Sequence, residues 1–400
     1  MKVQLSHAGV AAAGEERVEV HAPRARAIAG AYRIGMALRV LLLSDTPAFG
    51  QSVLRCLGVA GVQTHVWCTQ RFSPMRLSRY CRRYHYVPRA ELLDTSAAAV
   101  ERLNRACRTH GLDAILPTDM PTAYTLATLQ GQLTPRLGVF PLPDRETLER
   151  FDDKWRFSQY LSEQGVPQPE TRLLRRPEDL QGLDLAYPVI VKPPIGDGGR
   201  GVVRVDSAEE LAAGLSRGEH ALPLLVQRFI PGHDVDLSLL ADRGRLVAYT
   251  IQEAIGAKDW RRFLEDPEIV EAGRKIVEGC GFHGVMHLDM MREARGGSLA
   301  VIECNPRFWG SIELSLWAGV NFPVLGLRLL QGRDVGFRQA SHLGECQATG
   351  ISVRRMARAL LRGRLAPPEL GPASRASWFQ NLADPLPELA ASLARRWRRP

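Results

Sequence analysis

The side chains best suited to chemistry in this sequence are two carboxylates and an amide near residue 300. Glu303 and Asn305 stand two residues apart in a predicted strand, so their side chains share a face. A turn at Gly296-Gly297 predicts a hairpin that brings Asp289, on the preceding strand, opposite them. Carboxylate and amide oxygens are hard ligands that suit Mg²⁺ beside phosphate groups. The cluster therefore predicts a metal site at a strand end.

This cluster has an ordinary alternative, a solvated sheet face that carries unrelated acids. Two observations favour the metal site. Ile302 and Cys304 place apolar side chains on the opposite face of the same strand. Arg307 follows Asn305-Pro306 and offers a guanidinium that suits the oxygens of phosphate or of an acyl phosphate. Arg307 is therefore predicted to act in catalysis.

A glycine-dense turn between two predicted strands forms the second cluster. Lys192 ends the strand Tyr187–Lys192, where its ammonium is predicted to meet phosphate oxygens and to act in catalysis. Glycines let backbone N–H groups approach phosphate closely, and the glycines of this turn are Gly196, Gly198, Gly199 and Gly201. The alternative is a flexible hairpin turn. The sequence contains no G-K-[ST], which disfavours P-loop chemistry.

Lysine is rare enough in this chain to be informative. The sequence has five lysines among its 52 Lys and Arg residues, so a lysine hints that a compact ammonium is needed at its position. Lys154, on a predicted helix Phe151–Gln164, is interpreted as a second phosphate contact. The alternative is a surface lysine on an amphipathic helix.

A nucleotide base has a predicted site where the strand Leu224–Ile230 ends at Pro231-Gly232. The backbone of such a strand can pair with the edge of adenine, and a carboxylate beyond the turn can hold the ribose hydroxyls. Asp234 is assigned the ribose role, with Asp236 as its rival. The alternative is a simple strand, turn and strand. The residues assigned to the base are Gln227, Arg228, Phe229 and Ile230.

The elements that must position these residues begin with an alternation of strands and helices. This alternation predicts an open, doubly wound parallel sheet of the α/β class, in which ligands lie at the carboxyl ends of the strands. The segment Arg71–Arg89, rich in Arg and Tyr, is predicted to be irregular, and no G-x-G-x-x-G follows the first strand. The predicted strands are Ala37–Asp45, Val62–Cys68 and Asp113–Pro117, and the predicted helices are Phe49–Ala60, Leu92–Thr109 and one that starts at Pro121.

The second half of the chain mixes helices with shorter strands and hairpins. Its further strands are Val202–Val205, Val235–Leu240, Leu246–Gln252, His283–Met291 and Ser298–Cys304. Its further helices are residues 144–149, Ser207–Ser216, Pro267–Cys280, Ile312–Leu316 and Pro323–Leu330. A loop-like insertion contains Lys258, Arg261 and Arg262. These side chains are predicted either to contact an acidic substrate or to be exposed to solvent.

The order of these motifs resembles the ATP-grasp superfamily. The order is Asp153-Lys154, then VKP with a glycine-rich loop, then QRFIPG, then ECNPR. The resemblance covers Phe151–Gly332 well and Leu38–Leu142 more loosely. The stretch Asn305–Ser311 (NPRFWGS), followed by AGVNFP, is similar to the carboxylate–amine ligase branch, near carbamoyl-phosphate-synthase-like and pyrrolysine-biosynthesis-like ligases.

The resemblance implies a fold, cofactors and roles. The fold is a doubly wound N-terminal domain followed by two α+β subdomains that clasp ATP. Lys154 and Lys192 would bind the α and β phosphates, under the loop from Gly196 to Gly201. Asp289, Glu303 and Asn305 would hold two Mg²⁺ ions, with Mn²⁺ as a substitute. Arg307 would stabilise the transferred phosphoryl group and the acyl phosphate.

Two positions depart from the family pattern. The adenine hinge often carries an acidic residue after the Gln, but this chain has Arg228, so only backbone recognition is expected there. His287 stands where related ligases can carry Arg. It would contact a phosphoryl group only when protonated, and a core histidine is the alternative.

Five segments are predicted. They are a disordered N-terminal extension (1–36), a Rossmann-like domain (37–143), a lid subdomain with the glycine-rich loop (144–230), a C-terminal subdomain with the metal site (231–335) and a basic C-terminal segment (336–400). From Val353 onward the sequence has ten Arg and three acids, and Leu386–Arg399 is amphipathic. This amphipathic stretch has three alternative roles: contact with an anionic membrane, docking on a partner and packing on the core.

The composition bounds the class of protein. Hydrophobic residues make up 45% and charged residues 24%, as in globular proteins, and the net charge of +9 suits anionic partners. Seven scattered cysteines without C-x-x-C spacing predict a reducing cytoplasm. We see neither a run of about 20 apolar residues, which a membrane span needs, nor a signal peptide.

The predicted function is an ADP-forming ligase that activates a small-molecule carboxylate and joins it to an amine or a thiol. A kinase that phosphorylates a hydroxyl, and a scaffold that binds ATP without turnover, are the alternatives. Nucleic acid is not an expected partner, because the basic residues do not interleave with aromatic residues in a known module. A homodimer is left open.

Overall fold

The computed structural model describes residues 38–255, 260–347, 361 and 372–390. The predicted N-terminal extension and Lys258 lie outside the described residues. The strands are β1 Arg39–Ser44, β2 Gln63–Cys68, β3 Cys81–Tyr86, β4 Ala114–Pro117, β5 Gly138–Val139, β6 Thr171–Leu174, β7 Val189–Lys192, β8 Val203–Val205, β9 Leu224–Arg228, β10 Gly232–Asp242, β11 Arg245–Ala254, β12 Trp260–Leu264, β13 Gly284–Glu293, β14 Leu299–Asn305 and β15 Gly344–Gln347. The helices are α1 Pro47–Val59, α2 Arg89–Leu92, α3 Ala97–His110, α4 Met120–Leu129, α5 Arg145–Asp152, α6 Lys154–Glu163, α7 Ala208–Ser216, α8 Pro267–Cys280, α9 Ile312–Trp317, α10 Phe322–Leu330 and α11 Pro372–Ala383.

The first sheet is parallel and has the strand order β3-β2-β1-β4-β5. Alternate residues of β1 enter two different cores, because successive side chains of a strand point to opposite faces. Leu42 packs with α1 and α10, whereas Leu41 packs with α3 and α4. Helices therefore cover both faces, and the predicted doubly wound sheet is confirmed.

The prediction that Arg71–Arg89 is irregular is wrong in part. Cys81–Tyr86 forms β3, an edge strand that pairs only with β2 among the described strands. Its sequence, CRRYHY, lacks an apolar run because none of its six side chains is fully buried. Polar residues at a sheet edge are common and hide a strand from pattern reading.

The predicted helix Phe151–Gln164 is also wrong in its extent. The sequence placed the break between this helix and the preceding one at residue 150, but α5 continues to Asp152 and the chain leaves the helical conformation at Asp153. The Asp153 side chain accepts hydrogen bonds from the backbone N–H groups of Trp155 and Arg156 and so caps α6. Lys154 is consequently the first residue of a new helix.

Two antiparallel sheets follow the parallel sheet. One has the order β6-β9-β7-β8, and the other has the order β14-β13-β10-β11-β12-β15. In the six-stranded sheet, Val235, Leu237 and Leu239 point into a core formed with α5, α6 and α8. The alternate residues of β10 must therefore face the other way. Arg261 and Arg262 lie on β12 and not in the loop that the sequence suggested.

The C-terminal helix α11 packs on the body of the protein. Trp378 is fully buried. Asp384, just beyond α11, accepts hydrogen bonds from Ser78 Oγ at 2.7 Å and from the Arg79 N–H at 2.8 Å, and it lies 3.6 Å from Arg55 Nε. Residues 372–390 therefore pack on the core. None of the described helices is both long enough and apolar enough to cross a bilayer.

Replacing Asp384 with alanine should destabilise the protein by about 2–4 kcal/mol, because a buried hydroxyl, a backbone N–H and a guanidinium lose their partner. Urea unfolding measures this change. The matched control is Asp184→Ala, which removes an exposed pair with Arg172 and should have a much smaller effect. Equal stability of the two variants would contradict the docking role of Asp384.

Candidate active site

Eight polar side chains lie in two adjacent rows on the face of the six-stranded sheet opposite its core. Each row crosses β11, β10, β13 and β14, because those residues are paired in register. The first row is Gln252, Asp236, Asp289 and Glu303, and the second is Thr250, Ser238, His287 and Asn305. The hairpin predicted to bring Asp289 opposite Glu303 is thus present.

Two buried lysines meet Glu303. Its Oε2 atom lies 3.6 Å from Lys154 Nζ and 3.9 Å from Lys192 Nζ. Lys154 is 8% exposed and Lys192 is 2% exposed. Burial lowers the pKa of Lys192 to about 8, despite the opposing effect of Glu303. Burial also raises the pKa of Glu303, with a further increase from the neighbouring Asp289.

The lysines come from separate elements that both approach the sheet. Lys154 stands at the start of α6, and Lys192 ends β7 of the four-stranded sheet. Lys154 Nζ also donates a hydrogen bond of 2.6 Å to the carbonyl of Gly196. One carboxylate therefore connects the six-stranded sheet, the four-stranded sheet and the glycine-rich turn.

The glycine-rich turn has the backbone that only glycine adopts readily. Gly198 and Gly199 have φ of 64° and 71°. A Cβ atom at either position would meet nothing within 4 Å, so the conformation and not a close neighbour requires glycine here. Gly196 and Gly201 also have positive φ. The turn places Asp197, Gly198, Gly199 and Arg200 on the wall of a large cavity.

Arg307 is held beside the second row by several contacts. Its Nη2 donates to Asn305 Oδ1 at 2.8 Å, and its Nη1 donates to the Phe308 carbonyl at 2.8 Å. The guanidinium carbon lies 4.3 Å from the centre of the Phe49 ring, which belongs to α1. The guanidinium is thus held between α1 and the cluster of Asp289, Glu303 and Asn305, as expected of a positioned cation.

His287 and Asp236 belong to the same cluster. His287 Nε2 lies 3.3 Å from Asp289 Oδ1 and 3.8 Å from Asp236 Oδ2, and its ring stacks on Trp309. Burial would lower the pKa of His287, but the hydrogen bond to Asp289 and the charges of Asp236 and Asp289 raise it overall. Burial raises the pKa of Asp236 to about 6. His287 is buried, yet it lines the cavity, so it is more than a core histidine.

The residues predicted for the nucleotide base, and Asp234, do not line the cavity that the cluster lines. Gln227 is buried and donates to Thr171 Oγ1 at 3.0 Å. Arg228 lies 3.8 Å from Glu293, and Phe229 lies under the guanidinium of Arg204. The cavity wall includes none of Gln227, Arg228, Phe229, Ile230 and Asp234, although it includes Asp236. Their roles remain predictions, and only the backbone of β9 and the residues after it suits the base.

The cavity has a volume of about 980 Å³ and two chemically different ends. One end holds the polar rows, Arg307 and the glycine-rich turn. At the other end Arg55 Nη1 lies 3.5 Å from Glu313 and 3.2 Å from Glu388. The sequence did not predict this second end, because Glu313 and Glu388 stand 258 and 333 positions after Arg55 along the chain. Arg261 also lines the cavity, whereas Arg262 pairs with Glu253 and Glu345.

The donor set at the first end fits a hard divalent cation. Asp289 and Glu303 are neighbouring carboxylates, and Asn305 Nδ2 donates to Asp289 Oδ2 at 3.1 Å. Two neighbouring carboxylates repel each other, and a bound cation relieves that repulsion. Carboxylate and amide oxygens are also the ligands that Mg²⁺ prefers. Asp236, His287 and Asp289 also have ligand atoms within 4.8 Å of one another.

Comparison with known proteins places the fold. A family model described as ATP-grasp in the biosynthetic pathway with Ter operon matches residues 220–356, and the RimK-like ATP-grasp domain matches residues 151–261. The arginine-specific large chain of carbamoyl phosphate synthase from Geobacillus stearothermophilus is 25% identical over 217 residues, which is 50% of this chain. The chain spans about a fifth of that relative, since the match covers 20% of its length.

Solved structures agree with the sequence matches. The N5-carboxyaminoimidazole synthetase of Staphylococcus aureus, complexed with ADP, has a TM-score of 0.65 at 14% identity and covers 82% of this chain and 87% of its own. The biotin carboxylase domain of the Hydrogenobacter thermophilus 2-oxoglutarate carboxylase has a TM-score of 0.58 at 20% identity, over 78% of this chain and 73% of its own. That structure is a dimer in complex with MgADP, ADP and bicarbonate. The ATP-grasp fold predicted from the sequence is confirmed.

Removing a carboxylate should lower the pKa of His287. Asp236→Asn takes away one of the two charges that favour the imidazolium, so NMR titration of the histidine resonances should give a lower pKa than in the parent. Because the folded pKa of His287 lies above its ordinary value, its protonation stabilises the fold at low pH, and this contribution is lost as the pH rises through the folded pKa. The resonance of the exposed His342 serves as the control. An unchanged or higher pKa for His287 would refute the assigned contacts.

Proposed function

We propose that this chain, which belongs to the ATP-grasp superfamily, uses ATP and Mg²⁺ to activate a small-molecule carboxylate as an acyl phosphate and to join it to an amine. The observation that carries the proposal is Glu303, which lies in one row with Asp289 and within 4 Å of two buried ammonium groups. Phosphoryl transfer needs this kind of concentrated, positioned charge more than it needs a covalent catalyst.

The two lysines are proposed to bind phosphate oxygens of ATP. In the structure they neutralise Glu303 and do not belong to the residues that line the cavity. When Glu303 binds a cation, Lys154 and Lys192 lose that partner and become available to the triphosphate. An anionic phosphate favours the protonated form of Lys192, whose pKa burial has lowered to about 8. The backbone N–H groups from Gly196 to Gly201 are proposed to cover the phosphates.

Asp289, Glu303 and Asn305 are proposed to hold the metal, as two Mg²⁺ ions for which Mn²⁺ could substitute. Bound Mg²⁺ would neutralise phosphate charge during the transfer. Asn305 and Asp289 are already joined by a hydrogen bond, which fixes the orientation of both side chains. The MgADP bound by the structurally similar biotin carboxylase domain supports this assignment.

Arg307 is proposed to stabilise the transferred group. A carboxylate oxygen of the substrate forms a bond to the γ-phosphorus while the bond from that phosphorus to the β,γ-bridging oxygen breaks, and ADP leaves. The amine nitrogen then forms a bond to the acyl carbon, phosphate leaves, and the amine gives up a proton. The guanidinium, held by Asn305 and by the Phe308 carbonyl, suits the oxygens of the acyl phosphate in both steps.

The far end of the cavity favours an amine as the acceptor. There the guanidinium of Arg55 faces two carboxylates that also line the cavity, Glu313 and Glu388. This excess of negative charge favours a substrate that arrives as an ammonium over a neutral thiol or an anion. The C-terminal segment supplies Ser377, Asn381 and Glu388 to this wall.

The proposal also covers the cellular compartment and the partners of the chain. We place the reaction in the cytoplasm, where the seven cysteines, all free thiols in the structure, would stay reduced. A homodimer remains a prediction. Because residues 372–390 pack on the core, membrane contact remains a prediction for residues 391–400, which lie outside the described residues.

Product analysis tests the ligase proposal. Pools of carboxylates and amines are screened for ADP release from MgATP, and active pairs are analysed by mass spectrometry. We expect sustained ADP formation only when a carboxylate and an amine are both present, with a product that equals their sum minus water. ADP formation with a single hydroxyl compound, and a phosphorylated product, would support a kinase instead. ATP binding without turnover in every pool would support a scaffold.

Glu303→Ala should reduce ADP release from ATP to a small residual rate while the fold survives, because the metal loses a central ligand. We expect a loss of about two to three orders of magnitude in kcat, as for other positioned electrostatic groups. Circular dichroism reports the fold, and the exposed Glu278→Ala is the matched control. A folded variant with unchanged turnover would be strong evidence against the metal assignment.

A further inference from the structure

Three histidines meet in the N-terminal domain, outside the cavity. His65 lies on β2, His85 lies on β3, and His110 is the last residue of α3. The ring centre of His110 lies 5.1 Å from that of His65 and 5.9 Å from that of His85. One nitrogen from each ring falls within 4.8 Å of the other two. Three separate elements thus converge on one small volume through imidazole groups.

Two of these rings have buried nitrogens without a partner. Nδ1 of His65 and Nε2 of His85 are inaccessible and make no hydrogen bond in the part of the chain that the structure describes. His65 as a whole is buried. Buried polar atoms are normally satisfied, so unpartnered nitrogens on two of the three grouped rings suggest a missing ligand.

The chemistry of the group suits a borderline metal. Burial, followed by His110, Arg83, His85 and Arg39, lowers the pKa of His65 to about 4, and burial also lowers the pKa of His85. Both rings are therefore neutral at neutral pH, which is the form that binds metals. Imidazole suits Zn²⁺ and its neighbours in the first transition row, whereas Mg²⁺ prefers oxygen.

The position of the cluster indicates a structural role. The chain runs from His110 through Gly111 into the amino end of β4. The cavity lies at the opposite edge of the parallel sheet, where Thr46 follows the carboxyl end of β1. A metal here could fasten the end of α3 to β2 and to β3, the edge strand, without touching the reaction.

We propose that His65, His85 and His110 form a Zn²⁺ site that ties α3 to the edge of the parallel sheet. Tetrahedral zinc with Zn–N bonds of about 2.0–2.1 Å places its nitrogens roughly 3.4 Å apart, so small side-chain movements bring the three rings into position. His85 and His110 are only partly buried, so water can supply the fourth ligand.

Metal analysis of the untagged full-length chain tests this site. The protein is stripped with a chelator, dialysed against Zn²⁺ in excess Mg²⁺, and analysed for bound zinc by atomic emission. Parallel samples with Co²⁺ are examined for the visible absorption of tetrahedral cobalt. The variants are His110→Gln and His85→Gln, and the control is His342→Gln, whose histidine is exposed.

The parent and His342→Gln should bind one more zinc per chain than either cluster variant, and should show the cobalt absorption that the cluster variants lack. Zinc should also raise the melting temperature of the parent and the control only. Circular dichroism shows which variants are folded, and only folded variants are compared. If one of the two cluster variants fails to fold, the other is sufficient for the test. Equal zinc content in parent and cluster variants, or no zinc in the parent, would overturn the site.

Discussion

The interaction on which the site depends is the meeting of the Glu303 carboxylate with two buried ammonium groups. Lys154 begins a helix that packs on the six-stranded sheet, Lys192 ends a strand of the four-stranded sheet, and Glu303 belongs to β14. Removing ions from water is costly, and the opposite charges of Glu303 and the two lysines offset part of that cost. These contacts connect the two sheets and, through the hydrogen bond from Lys154 to the Gly196 carbonyl, the glycine-rich turn.

The division of the cavity follows from the same geometry. The polar rows, Arg307 and the two lysines concentrate the groups that a nucleotide and its metal require at one end. The C-terminal segment, which the sequence left between membrane, partner and core, packs on the body and supplies acidic and polar groups at the other end. A reaction that joins two substrates needs two such chemically distinct regions within one enclosure.

Much of the site could be predicted from the sequence because its core is local. Asp289, Glu303 and Asn305 lie on one hairpin, so strand periodicity and a glycine turn were enough to bring them together. Asp236 was recognised only as a rival for the ribose, since its pairing with Asp289 joins residues 53 positions apart. The break between the two predicted helices was placed at residue 150 instead of Asp153, because a single residue separates α5 from α6. The strand β3 was missed because an edge strand need not be apolar. Arg55 and Glu388 meet only through the packing of the whole chain.

The most direct test of the account is a crystal structure of the chain with Mg²⁺ and a non-hydrolysable ATP analogue. We expect metal–oxygen distances of about 2.0–2.1 Å to Asp289, Glu303 or Asn305. We also expect triphosphate oxygens in contact with Lys154 and Lys192. A nucleotide bound elsewhere, or phosphates that touch neither lysine while the carboxylates hold no metal, would contradict it.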